Sequence, residues 1–380
     1  MAIVDLFLKR FVSAAPVVFL FILFGFFTPQ AFSAAAPGTD AAWSEVLAAA
    51  RTEGTVSVIG LPGVDLKRAL TEAFQRKYPD IRLEFVGMPV TQVTPKIALE
   101  SRAKRNTTDI AVVGSTTALL GLLPGNAIAP IRPLLNGPST RNLSEWRNGR
   151  LHFSDEAEQY HLVMSFYRKA PVLYNPNLAT GDEFTSYWDL VKPKWKGKMG
   201  MRTPTRAGGG LSNTVFWYST EGLGKEFIRE LFTKQDLTFF EDNRQQLDFL
   251  AHGKHSLTIG ASDTITVEAI HKGLPIRFID PARFKEGTYL TAGGGGLVVI
   301  KDAPHPNAAR VYLDWLLSRE AQTAWSKASG HVSARRDVPT DHLPKETVPE
   351  EGVDYQENHR ERYLMIRDEV VDFVKSVLRR

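Results

Sequence analysis

Apolar positions along this chain fall into short blocks that alternate between two spacings. Ala41, Val46, Leu47 and Ala50 recur at helical spacing, with Asp40 placed as an N-cap and Gly54 as the stop. Val56 to Ile59 is then a continuous apolar run of strand length, and Leu61-Pro62-Gly63-Val64 reads as a turn. Leu66, Ala69, Leu70, Ala73 and Phe74 return to helical spacing until Tyr78-Pro79. Ile81 to Val86 is the next strand, a helix holds Ile97, Leu99 and Ala103, and Asp109 to Val113 is a third strand. Strand, helix, strand, helix, strand predicts an α/β lobe with a parallel sheet and right-handed crossovers.

Ligand sites in such sheets lie beyond the carboxyl ends of the strands. Those ends carry Gly60 to Asp65, then Gly87-Met88-Pro89-Val90-Thr91, then Gly114-Ser115-Thr116-Thr117. All three are small and polar, so Met88, Thr91, Ser115 and Thr116 are candidate ligand contacts. An ordinary loop or, for Ser115 and Thr116, a helix N-cap is the plainer reading of each alone.

A proline-rich crossing follows at Pro130 to Leu135, and a second lobe is expected from there. Its central feature is the stretch 172–210. Val172 to Tyr174 is a short strand closed by Asn175-Pro176; Trp188, Leu190 and Trp195 flank a turn at Pro193; Lys198 to Arg202 is another strand. Thr203-Pro204-Thr205-Arg206 then leads through Gly208, Gly209 and Gly210 into a helical pattern from Leu211 to Phe232, broken at Gly222 and Gly224. Glycines that admit close backbone approach, a helix N-terminus with unpaired N–H groups, and two arginines form chemistry suited to an anion. Arg202, Thr205, Arg206, Gly208 and Gly209 are therefore candidate binding residues.

Further on, Leu257 to Ala261 is a strand, and Ser262-Asp263-Thr264 opens a helix through Val267 and Ile270. Asp263 is either that helix's cap or a ligand group for an amine or hydroxyl. The four glycines Gly293 to Gly296 match no phosphate-loop spacing and read as a hinge or a close backbone approach. Pro306 starts another helix, 338–354 is a proline-rich and acidic tail, and the mixed-charge stretch from His359 onward is an amphipathic surface helix.

The N-terminus bears on where the protein resides. Lys9 and Arg10 precede an uncharged apolar run from Phe11 to Phe27, followed by Pro29 and the small residues of 31–36. That is the three-part pattern of an export signal, assigned to 1–33, and it predicts a periplasmic protein. The run is also close to the length of an uncleaved anchor, so both outcomes stay open. With 380 residues there is room for two packed domains, and 43% hydrophobic with 23% charged is the composition of a folded protein. A net charge of +4 with interspersed signs shows no nucleic-acid footprint. The absence of cysteine excludes disulfides, thiolate metal sites, a cysteine nucleophile and a lipidated cysteine.

Catalytic patterns are scarce. Ser101 and Lys104 match an acyl-transfer Ser-x-x-Lys spacing, but in a charged helix and without its companion motifs. His252 and His255 lack a matching ligand cluster and are expected on a solvated helix end or turn. No enzyme, cofactor or metal site is expected.

The blocks AFQRKYPDIRLEFVG (73–87), VLYNPNLA (172–179), SYWDLVKPKWKGKMGMRTP (186–204), DNRQQLDFLAHGKHSLTIGASD (242–263) and APHPNAARVYLDWLLSREAQ (303–322) resemble, in the same order, bacterial extracellular solute-binding proteins of the ferric-iron-transport type. The resemblance implies a two-lobe type II periplasmic-binding-protein fold with a hinge and an interlobe ligand cleft. It places lobe 1 at 37–133 and 284–325, lobe 2 at 134–283, and C-terminal helices at 326–380 on lobe 2. It also implies a monomer that delivers a small solute to an inner-membrane ABC permease with its ATPase, or to a sensor. Iron binders of this type carry a tyrosine pair where this chain has Ser262-Asp263-Thr264, and no Tyr-Tyr pair occurs anywhere in it. The expected ligand is accordingly an organic or inorganic anion rather than bare iron. If Asp263 faces the cleft, an aminophosphonate, a polyamine-like zwitterion or a sugar phosphate would suit.

Overall fold

The computed structural model describes residues 40–379, so the expected signal segment 1–33 lies outside it. Among the described residues no helix is long and apolar enough to cross a membrane.

The first expected lobe forms around a seven-stranded sheet. Thr55–Gly60 pairs in parallel with both Arg82–Gly87 and Ile110–Val113, with the helices Val64–Lys77 and Val90–Arg102 as crossovers. Gly296–Ile300 then runs antiparallel to Ile110–Val113 and carries Leu162–Val163 and Ile128–Ala129 on its other side. The pleat sends alternate residues to opposite faces. Ile110 and Val112 enter one apolar core with Phe74, Tyr312 and Trp315, while Ala111 and Val113 enter another with Val93 and Ile97. Both faces are covered, which is why these strands read as unbroken apolar runs.

The second lobe holds a five-stranded sheet ordered Thr238–Phe240, Met199–Arg202, Leu257–Ile259, Val172–Tyr174, Arg277–Phe278. Its core packs Met199 and Met201 under Trp217, Phe227 and Leu231, and Val370, Val374 and Val377 of the last helix join it. A third sheet, of four strands, joins the two. Ser165–Arg168 leads from the first sheet toward the second, and Tyr289–Thr291 pairs with it antiparallel.

The boundaries differ from those expected. His152–Phe153 and Leu162–Val163 belong to the first sheet, and Trp146, Phe153 and Phe166 to its core, so 134–168 does not pack with the rest of 134–283. Phe284 and Tyr289 sit in the second core, so the return leg starts near Leu290 rather than at 284. Within 326–380, Val332–Ser333 extends the joining sheet and Ala334 lies in the first core. Strands of two residues carry too little periodicity to show their partners in advance.

The glycine run is a place of close approach. A Cβ at Gly295 would lie 2.0 Å from Ser165 Oγ, and one at Gly296 would lie 2.0 Å from His161 Nε2.

Candidate functional site

Two cavities lie beyond the strand ends and adjoin at Ser212 and Thr291, which line both. The first, about 370 Å³, is built on the second-lobe sheet. Met199 and Met201 anchor their strand in the core and leave Arg202 at its open end. Arg202 Nη1 donates to the Phe240 carbonyl at 2.9 Å, and the guanidinium has no carboxylate partner among the described residues.

The loop that follows turns directly into the helix Gly209–Ser219. Gly208 sits at φ 142, a region that side chains disfavour. A Cβ at Gly209 would lie 2.1 Å from the Gly260 carbonyl oxygen, and one at Gly210 would lie 2.0 Å from that of Arg202. These glycines therefore let the helix start cross the ends of two strands. Its first N–H groups lack intrahelical partners, and Gly208 and Gly209 line the cavity with Arg202, Lys169 and Asn243.

Asp263 also lines this cavity, but neither sequence reading of it holds in full. Ser262 holds the N-cap position, and Asp263 is the first helical residue. Its Oδ2 accepts from Lys169 Nζ at 2.5 Å, and that ammonium also donates to the Ala261 carbonyl at 3.0 Å. The amine Asp263 meets is the protein's own. Thr205 and Arg206 line neither cavity; Arg206 is 73% exposed and pairs with Glu241 at 3.2 Å.

The second cavity, about 340 Å³, is lined by Met88, Ser115 and Thr116 from the first-lobe loops, by Ser212, and by Asn358, Leu364 and Arg367 from the C-terminal segment. Thr91 is exposed in the first turn of its helix and lies outside this lining.

Ser115 is buried, and its hydroxyl is committed inward. His161 Nε2 lies 3.0 Å from the Val113 carbonyl, which can only accept, so Nε2 carries the proton. Burial, opposed by that bond and by Asp155, pushes the ring down to about 4, so it is neutral near pH 7 and Nδ1 is bare. Nδ1, at 2.8 Å, must then accept from the Ser154 hydroxyl. Ser154 Oγ in turn accepts from Ser115 Oγ at 2.8 Å. Ser115 is left with acceptor lone pairs only and cannot donate to an anion.

Thr116 Oγ1 accepts from Arg367 Nη1 at 2.7 Å. Arg367 has no ion-pair partner among the described residues, and its Nε is buried without a hydrogen bond. Burial lowers its pKa from the ordinary guanidinium value, with Tyr289 opposing.

Arg367, Lys169 and Tyr167 were not singled out from sequence. Arg367 lies in a mixed-charge helix that reads as a solvated face. Lys169 did leave a signal, because Arg168 and Lys169 interrupt an apolar stretch between two strands. Tyr167 and Tyr289 come from paired strands rather than a tandem pair, and both phenols are pushed well up by burial, so they are neutral. Tyr289 donates to Asn213 Oδ1 at 2.5 Å.

The expected histidine pair splits: His252 is exposed at a helix end, while His255 is buried 3.2 Å from Thr238 Oγ1, with its pKa lowered by burial. No cluster of three or more His, Cys, Asp and Glu suited to a metal occurs among the described residues. Ser101 lies in the last turn of its helix and Lys104 just beyond the end, where Lys104 N donates to the Ser101 carbonyl at 3.1 Å.

Two α/β lobes joined by crossing strands, with a cleft between their strand ends, define a two-lobe binding protein of the periplasmic type. The fold matches that of the Trichodesmium protein FutA, solved with iron and citrate, at TM-score 0.67 and 17% identity over 85% of this chain and 99% of that one. Iron-bound HitA from Pseudomonas aeruginosa matches at 0.62 and 17% over 85% and 99%. The sequence profile of the bacterial extracellular solute-binding proteins matches residues 69–350, and the chain belongs to that family. A curated relative, Iron uptake protein A1 of Synechocystis sp., is 24% identical over 175 residues, 41% of this chain and 45% of that protein. The match thus spans less than half of that relative's length.

Proposed function

We propose that this chain is the periplasmic substrate-binding component of an ABC importer. It captures a small organic anion in the interlobe cleft and passes it to an inner-membrane permease driven by an ATPase. The observation that carries this reading is the pair Arg202 and Arg367, two guanidinium groups on the cleft wall without a carboxylate partner among the described residues. A cation left so costs desolvation without return unless a ligand completes it. Hinge closure would exclude water and strengthen each charge-assisted bond. Of the residues expected from sequence, Arg202, Gly208 and Gly209 supply donors, while Met88 and Thr116 shape the opposite wall.

Isolation from a periplasm, with native mass spectrometry and metal analysis on one sample, tests this directly. A bound organic acid of defined mass is expected, and Arg202→Gln should lower its affinity about tenfold, the scale of one charge-assisted hydrogen bond. A ferric ion is the second reading, favoured by Tyr167 and Asp263 lining the same cavity. Against it, Lys169 already holds the Asp263 carboxylate and the phenols resist ionisation. Stoichiometric iron without an organic acid would decide for it. Stimulation of a reconstituted permease ATPase separates an importer component from a sensory protein of the same fold.

A further inference from the structure

The cleft has two compartments of different character. The one holding Arg202 is mostly polar, with Lys169, its partner Asp263, Asn243, Ser262 and glycine backbone around it. The one holding Arg367 is walled by Leu61, Met88, Val90, Val93 and Leu364. Arg202 lines only the first and Arg367 only the second, and the border between them is marked by the uncharged Ser212 and Thr291.

An arginine offers five N–H donors, and among the described residues Arg367 shows one hydrogen bond, to Thr116. Asp263, the one carboxylate in either lining, is held by Lys169, so among the described residues no free carboxylate in these compartments serves Arg202 or Arg367. A charged guanidinium at the edge of an apolar wall needs a counter-charge of its own. An anion bound by Arg202 in the first compartment leaves the second cation unanswered.

Resting on the anion reading above, we propose that the solute is an organic dianion: one acid group meets Arg202, an apolar aliphatic or aromatic spacer lies against Val90, Val93 and Leu364, and a second acid group meets Arg367. Dicarboxylates and carboxylate-phosphonates are the chemical classes that fit.

The test is calorimetric titration of the purified protein, stripped of endogenous solute, with succinate, glutarate, adipate and phthalate against butyrate, hexanoate and benzoate. One diacid is expected to bind at least about tenfold tighter than its matched monoacid. Arg367→Gln should remove that advantage, leaving diacid and monoacid alike, while Arg367→Lys, which keeps the charge, should retain part of it. Circular dichroism on each variant guards against a folding defect. Equal binding of monoacids and diacids, with Arg367→Gln without effect, overturns the dianion inference and leaves the anion reading standing. Absence of binding by every acid overturns both.

Discussion

Lys169 donates to Asp263 at 2.5 Å with their side chains 5% and 13% exposed, a nearly buried ion pair at the floor of the cleft. It joins the end of the strand Ser165–Arg168, which crosses between the lobes, to the helix that follows the strand Leu257–Ile259. Asp263→Ala strands the ammonium and should lower unfolding free energy by about 3 kcal/mol, the scale for breaking a buried pair from one side. The double variant Lys169→Met with Asp263→Leu should recover most of that loss. Urea denaturation of the parent protein and the two variants checks it; a double variant no more stable than Asp263→Ala would show that the two charges are not coupled.

Ser115→Ala removes a hydroxyl whose proton points to Ser154 and not into the cleft. Stability should fall by about 1 kcal/mol while solute affinity stays within about threefold. A large loss of affinity with unchanged stability would reverse the proton assignment in the Ser115–Ser154–His161 chain.

Arg206, though it stands in the stretch that looks most like an anion site in sequence, is paired on the surface with Glu241. Arg206→Ala should shift stability by less than about 0.5 kcal/mol and leave affinity unchanged. Arg202→Gln, measured beside it, is the informative contrast.

Acid should destabilise the fold from pH values well above the carboxylate range. His161, His331 and His359 are each pushed by burial from 6.5 down to about 4. Between those values the unfolded chain binds more protons than the folded one, so stability is full above about pH 6.5 and declines as pH falls. Each histidine contributes a slope of up to roughly 1 kcal/mol per pH unit in that window. Urea midpoints between pH 7 and pH 5, where carboxylates barely titrate, isolate this effect. A flat profile there would contradict the buried neutral state of these rings.

Much of the architecture is legible in the chain because it is local. The runs Val56–Ile59 and Ile110–Val113, and the periodic helices between them, specify a parallel sheet covered on both faces. The junction at Arg202 to Gly210 is equally plain, since a strand end, glycines and a helix start are neighbours in sequence. Asp263 shows where such reading stops: its position beyond a strand was visible, but its partner Lys169 lies 94 residues away.

What the sequence alone determined, then, are the elements, the family blocks and the one strand-to-helix junction, because propensity, turn chemistry and periodicity act over a few residues. Tertiary structure decided which charges are answered. Arg206 meets Glu241, and Lys169 meets Asp263. Arg367, in a helix that reads as surface, comes to Thr116 across 251 residues of chain and lines the cleft. Whether a charge is solvated, paired or left for a ligand depends on what the fold brings against it, and that is a property of packing rather than of any local pattern.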